Sequence, residues 1–158
     1  MKTIPITKGL VALVDDKDFD LLTTWRWHAS SSDAGWYAAR RSRTNITVYM
    51  HRMIMLPDPD LTIDHINHDT LDNRRSNLRV CTHAENLRNQ RSQRGVTSRY
   101  KGVAWHRRGQ KWVAQITADG VNRYLGLYTS EREAAASYDR AAKELFGEFA
   151  NTNFKAPA

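Results

Sequence analysis

The 158-residue sequence contains a single cysteine, Cys81, which excludes an internal disulfide and any metal cage built from cysteines alone. No stretch approaches the roughly 20 consecutive apolar residues of a membrane-spanning helix, so no membrane partner is expected. The opening Met1-Lys2-Thr3-Ile4-Pro5-Ile6 has no sustained apolar run, and the acidic pair Asp15-Asp16 follows soon after. No secretory signal is expected, and a reducing, cytoplasmic setting fits. Internal repeats and low-complexity segments are also absent. Acidic residues are the scarcer charge, 17 against 24 Lys and Arg, giving a net charge of +7. That imbalance favours an anionic partner, because each phosphate neutralised releases condensed counterions. Hydrophobic residues at 41% and charged residues at 26% exclude wholesale disorder.

Three zones and a linker divide the chain, and together they predict an α+β fold. Residues 1–55 form a small antiparallel β-rich region, with β-like runs at Leu10–Val14, Trp36–Ala39 and Asn45–Met50 separated by polar turns. Asp18–Leu22 is predicted as one helical turn, and Trp25 and Trp27 flank Arg26 as in a half-buried strand. Pro57 and Pro59 open the second zone, residues 56–92. Here Leu61–His65 reads as a strand, Asn67-His68-Asp69 as a turn, and Leu78-Arg79-Val80 as a second strand. Thr82-His83-Ala84-Glu85 is a capping box, so a helix starts near His83 and carries Asn86 in its first turns. Residues 93–99 form a basic linker, either a solvated surface segment or one that orders on phosphates, with Arg94 and Arg99 as candidate DNA contacts. The third zone, 100–158, holds β-like runs at Tyr100–Trp105, Lys111–Thr117 and Asn122–Tyr128, predicted to pair as a three-stranded antiparallel sheet. A second capping box, Ser130-Glu131-Arg132-Glu133, opens a helix that ends near Phe146 with Gly147 as its stop. Ala134, Tyr138, Ala141 and Leu145 form its expected sheet-facing stripe.

Phosphodiester hydrolysis needs a base for water and a cation for the charge that develops on phosphate. His65 suits the first task, since an ordinary imidazole accepts a proton near neutral pH. Asp64 and Asn86 offer hard oxygen ligands that favour Mg²⁺ or Mn²⁺ over zinc, one ion per site, completed by water and phosphate oxygens. Neighbours on a regular strand point to opposite faces, so Asp64 and His65 share one site only if the backbone turns there. Asn77 can pin the loop between the two strands through its donors and acceptors. His65, His68, Cys81 and His83 offer an alternative zinc set of nitrogen and sulfur ligands, at a spacing that matches no common finger. His51 suits a polar core position or a phosphate contact.

The segments Asp64-His65-Ile66-Asn67, Leu71-Asp72-Asn73-Arg74, Ser76-Asn77-Leu78-Arg79 and Glu85-Asn86 resemble the HNH homing endonucleases, which have the ββα-metal fold. The resemblance covers about residues 50–90, with Val48–Ile54 as a lead-in. It implies that His65 is the general base, that Asp64 and Asn86 hold the metal, and that Asn77 fixes the loop carrying the base. His68 stands where that family commonly has a glycine.

Tyr100-Lys101-Gly102-Val103, Lys111–Ile116, Tyr124–Tyr128, Ala134–Ala142 and Asn151-Thr152-Asn153-Phe154 resemble the plant ethylene-response-factor (APETALA) DNA-binding domain. That family lays its sheet in the major groove, which implies DNA contacts from Lys101, Trp105, Arg107, Lys111, Trp112, Gln115, Arg123 and Tyr124. Core packing competes with that role at Trp112 and Tyr124. The family's Arg after its Gly-Val pair is Ala104 here, so the plant target sequence does not transfer. Together the two resemblances imply a site-selective, metal-dependent endonuclease of homing type acting on double-stranded DNA, leaving a 3′-hydroxyl and a 5′-phosphate. A non-catalytic DNA-binding regulator and a zinc-stabilised nucleic-acid-binding protein are the alternatives. Oligomeric state, monomer or weak dimer, is left open.

Overall fold

The computed structural model describes residues 1–33, 35–89 and 97–154. It separates into two compact units, Met1–Asn86 and Leu87–Ala158. The first contains three small antiparallel sheets: β1 (Lys2–Pro5) with β2 (Val11–Val14), β3 (His28–Ser32) with β4 (Gly35–Arg41) and β5 (Thr47–Tyr49), and β6 (Thr62–His65) with β7 (Leu78–Cys81). Helix α1 (Asp16–Leu22) follows β2, α2 (Met50–Met55) follows β5, and α3 (His83–Asn89) follows β7. The second unit is the antiparallel sheet β10 (Val121–Tyr128), β9 (Lys111–Ala118), β8 (Val103–His106), with α4 (Glu131–Phe146) packed against it. This is the α+β architecture expected. No described helix is long and apolar enough to cross a membrane.

Short elements cannot bury a face alone, so those of the first unit share one core. Ile4, Ala12 and Val14 from the first hairpin, Leu22 from α1, Ala38 from β4, Met50 and Ile54 from α2, and Ile63 and Leu78 from the β6–β7 pair meet there. Trp27 joins them, but not from a strand: its indole N–H donates to Leu22 O at 2.8 Å and holds the chain just before β3. The half-buried strand expected around Trp25 and Trp27 is therefore a connection, and the helical turn expected at Asp18–Leu22 is a two-turn helix. The expected strand Asn45–Met50 also changes character midway. It pairs only at Thr47–Tyr49, and Met50 begins α2, burying Met50 and Ile54 four residues apart on one helical face.

In the second unit Asp119 and Gly120 adopt φ of 53° and 76°, the left-handed pair that lets two strands reverse in a tight hairpin turn. Ser130 Oγ accepts from the Glu133 amide at 3.4 Å and starts α4. The buried stripe of α4 runs Ala134, Tyr138, Ala142 and Phe146. Successive steps of four keep that row over the sheet, while the expected Ala141 and Leu145 lie half-buried beside it. Gly102 (φ 73°) belongs here because a Cβ would lie 2.0 Å from Tyr138 Cδ2.

Candidate active site

The β6–β7 hairpin carries Asp64 and His65, both 5% exposed. Pairing is regular through both, Asp64 opposite Arg79 and His65 opposite Leu78, so the backbone does not turn between them. The turn comes one residue later. His68 N–H donates to His65 O at 2.9 Å, and His68 takes φ 63°. That left-handed conformation is the physical reason a glycine suits this position.

Side chains pin the loop after His65 at several points. Asn77 uses both ends of its amide: Oδ1 accepts from Asn67 N–H at 2.9 Å, and Nδ2 donates to Asp72 O at 2.8 Å. Asp72 takes a fork of hydrogen bonds from Arg74, at 2.7 and 2.6 Å, and a third from Asn67 Nδ2 at 2.9 Å. Arg75 forks onto Asp18 of α1, both contacts at 2.9 Å. Backbone bonds between Leu13 and both Leu71 and Asn73, 2.8 Å each, lay the loop along β2.

Asp64 faces across the hairpin to Arg79, whose Nε and Nη2 reach Oδ2 at 2.8 and 2.6 Å. The carboxylate thus already holds a cation. His65 lies among rings from other elements: Tyr37 of β4 at 5.9 Å and His51 of α2 at 5.2 Å between centroids. The Asn73 carboxamide, 1% exposed, favours a protonated His65, although its Oδ1 forms no hydrogen bond of good geometry with a described residue. Burial is the larger influence and pulls the His65 pKa below the ordinary imidazole value, with the carboxylates of Asp64, Asp69 and Asp72 opposing it. Burial also pushes the Tyr37 phenol up, partly offset by a hydrogen bond with Ser32.

His51 is held down to about 3, first by burial and then by the charges of His65 and Arg52. As pH falls below the ordinary value of 6.5, the unfolded chain takes up a proton here that the folded protein refuses until about 3. The unfolded state binds more protons in that window, so stability falls with falling pH. Urea unfolding between pH 6.5 and 5 is expected to lose up to about 1.4 kcal/mol per pH unit from this residue. His51→Leu should flatten the slope; identical slopes in both proteins would contradict the assignment.

The capping box at α3 is closed: Glu85 Oε2 accepts from Thr82 N–H and Oγ1, both at 2.8 Å, and Thr82 Oγ1 accepts from Glu85 N–H at 3.3 Å. Asn86 sits half-buried on α3 with its N–H on Thr82 O at 3.1 Å. Among the described residues no group of three or more His, Cys, Asp or Glu gathers as a metal cluster. Cys81 is buried in β7 with its thiol pushed up to about 11, chiefly by burial, and His83 is exposed. The Asp64 carboxylate and the Asn86 amide are oxygen donors of the kind that a hard divalent cation takes.

In the second unit the strand register sorts the expected DNA contacts. Val103 and Ala114 are buried under α4 and paired with each other, and two residues along Trp105 pairs with Trp112 on that same helix-covered side. The two indoles meet edge to face at 4.9 Å. Lys111, Gln115 and Tyr124 lie on the opposite, open side, Gln115 and Tyr124 directly paired. Arg123, paired with buried Ile116, is exposed, as is Arg107 in the turn before β9. Lys101 is half-buried and its Nζ donates to Arg88 O at 2.7 Å, with burial lowering its pKa to about 8. Arg99 lies over the Tyr100 ring, 5.0 Å from its centroid. Arg94 lies outside the described residues.

Residues 37, 51, 73 and 79 carry no role in the sequence-based site, apart from the alternatives noted for His51. Tyr37 is far from His65 in sequence, and only the packing of β4 against the β6–β7 loop brings it near. One trace of that packing is Thr70 Oγ1 donating to Trp36 O at 2.6 Å.

Residues 48–88 match the family described as HNH endonuclease. An uncharacterised HNH endonuclease of Acanthamoeba polyphaga mimivirus is 28% identical over 149 residues, covering 92% of this chain and 76% of the viral protein. An ethylene-responsive transcription factor of Arabidopsis thaliana is 49% identical over 63 residues, 39% of this chain. A second Arabidopsis protein, an AP2/ERF and B3 domain-containing transcription repressor, is 40% identical over 76 residues, 48% of this chain. The chain spans only 14% and 21% of these two plant proteins, so the similarity concerns one module of each. Residues 48–88 thus match the HNH endonuclease family, and the similarity to the viral protein extends that likeness over most of the chain; both point to a nuclease.

Proposed function

We propose that the chain is a site-selective, divalent-metal-dependent DNA endonuclease of homing type, with His65 as general base. The observation that carries this reading is the seating of His65: a buried imidazole at the end of β6, beside a loop tied by Asn77 and next to a carboxylate that binds a cation. His65 accepts the proton of the attacking water, whose oxygen bonds to phosphorus as the bond to the 3′-oxygen breaks. The products are a 3′-hydroxyl and a 5′-phosphate. Asp64 and Asn86 would hold Mg²⁺ or Mn²⁺, which would supply positive charge against the charge developing in phosphodiester hydrolysis. Asn77 keeps the loop that follows the base in place. Residues 1–55 brace a nuclease module at 56–92, and residues 93–99 link it to a DNA-reading module at 100–158. In that module Lys111, Gln115 and Tyr124 lie on the open sheet face, and Arg94, Arg99, Lys101, Trp105, Arg107, Trp112 and Arg123 complete the candidate contact set. A β surface can enter the major groove and read base edges there. A mobile-element or phage setting is part of this reading, and the relative behind it is viral. One site per chain makes a nick the simpler product.

Supercoiled plasmid incubated with Mg²⁺ or Mn²⁺ is expected to yield nicked circles, and none in EDTA. Full cleavage in EDTA would remove the metal from the reading; no cleavage with either ion, while DNA is bound, would remove the nuclease chemistry.

A further inference from the structure

A general base works only if its nitrogen is held to within about half an ångström of its working position. His65 ends β6, paired with Leu78, and the Asn73 carboxamide influences its imidazole from the loop. Two rings from elements outside the β6–β7–α3 module pack against the same imidazole and restrain its torsions further. Tyr37, on β4, meets His65 at 5.9 Å and 66°, and His51, on α2, meets it at 5.2 Å and 83°. Both are the edge-to-face arrangement that aromatic pairs favour. Tyr49 closes the wall behind them, stacked on His51 at 5.6 Å and 18° and edge-on to Tyr37 at 5.8 Å.

We propose that Tyr37 and His51 are positioning residues that hold the His65 imidazole in one orientation. This rests on the reading of His65 as the base. Each residue is itself well anchored. Tyr37 is followed by Ala38 and Ala39, which are 1% and 0% exposed, and His51 lies between the chain's buried Met50 and Ile54, at 0% and 4%. The Tyr37 hydroxyl hydrogen-bonds with Ser32 of the neighbouring strand, so it is the ring that Tyr37 presents to His65. Core packing alone does not account for His51. Its buried Nδ1 has no hydrogen-bond partner among the described residues. Leaving such an atom buried and unpaired is destabilising in a way that an aliphatic side chain would avoid. A flat five-membered ring that fits between Tyr37, Tyr49 and His65 restrains the base, and stability is given up for it. The N-terminal sheet is on this account part of the nuclease site, since Tyr37 precedes the matched segment 48–88.

The test uses the full chain, supercoiled plasmid and Mn²⁺ under single-turnover conditions. His51→Leu and Tyr37→Leu are expected to cut about 10- to 100-fold more slowly, as misplacement of a catalytic group does. The protein concentration for half-saturation should stay unchanged. His51→Leu should be as stable as the wild type or more so, and Tyr37→Phe should restore the rate that Tyr37→Leu loses. In metal-free protein labelled with ¹⁵N-histidine, His65 should show one ring tautomer, and a mixture in the two leucine variants. Wild-type rates in the folded leucine variants would overturn the proposal, as would a loss in Tyr37→Phe equal to that in Tyr37→Leu. An unchanged His65 tautomer signal in both leucine variants would overturn it without recourse to activity. Full cleavage by His65→Ala would instead sink the base assignment, while the tautomer signal still reports on whether the ring is held.

Discussion

Replacing His65 with alanine is expected to slow metal-dependent nicking about 10²- to 10⁴-fold while DNA binding survives. The size follows from what a positioned base contributes when it takes the proton of attacking water. Binding should survive because His65 is 5% exposed and the basic, exposed side chains of the C-terminal sheet lie elsewhere in the sequence. Alanine also removes a ring from between Tyr37, His51 and the tied loop, so the variant needs a stability check by urea unfolding beside the rate. The hole it leaves allows a sharper control. Added imidazole should restore part of the rate in His65→Ala and none in an Asp64→Ala variant, because in the proposed mechanism Asp64 holds charge rather than moving a proton. Cleavage by His65→Ala at the wild-type rate would assign the proton to another group. Loss of plasmid binding in parallel with loss of cleavage would show that the substitution had disturbed more than the base.

What could be read before the structure was local in origin. The Thr82–Glu85 capping box closes in both directions, and Ser130 accepts from the Glu133 amide, because a serine or threonine three residues before a glutamate satisfies amides within one turn. The Asp119-Gly120 reversal is equally local, since few residues tolerate two positive φ values in succession. Helix α2 was hidden for the converse reason. It has six residues, and Tyr49 at its start makes no side-chain cap. Val48-Tyr49-Met50 therefore reads as the end of a strand, and only the core contacts of Met50 and Ile54 convert the next turn to helix. The α4 stripe moved by one residue because Ala141 and Ala142 are equally small, and propensity cannot choose between them. At the site, Asp64, His65 and Asn77 stood out through motifs. Arg79 and Tyr37 did not, because a cross-strand ion pair and a ring from a distant strand leave no mark in local spacing. The alternation expected to separate Asp64 from His65 does persist through the pair. Asp64 turns to the guanidinium and His65 to the aromatic wall.

The second large effect concerns that guanidinium. Arg79→Met should lower stability by about 3–5 kcal/mol, since it strands a buried carboxylate without its partner. The side chains are 12% and 6% exposed, so water offers little compensation. Removing both charges is a different experiment. Asp64→Leu with Arg79→Met replaces the pair by apolar groups of similar size, which is often neutral or stabilising. That double variant should recover most of the lost stability and have no cleavage activity, placing the value of the pair in the site rather than in the fold. Divalent metal then separates two roles for Asp64. If the carboxylate is a ligand, Mn²⁺ should stabilise Arg79→Met more than the wild type, because the ion enters where the guanidinium was and no longer competes with it. At a hundredfold excess over the dissociation constant the gain is about 2.7 kcal/mol, and the double variant should show none of it. A stability of Arg79→Met equal to the wild type would mean that the carboxylate finds another cation or water. Equal Mn²⁺ stabilisation of Arg79→Met and the double variant would take Asp64 out of the metal shell, and the cation it holds would then be Arg79 alone.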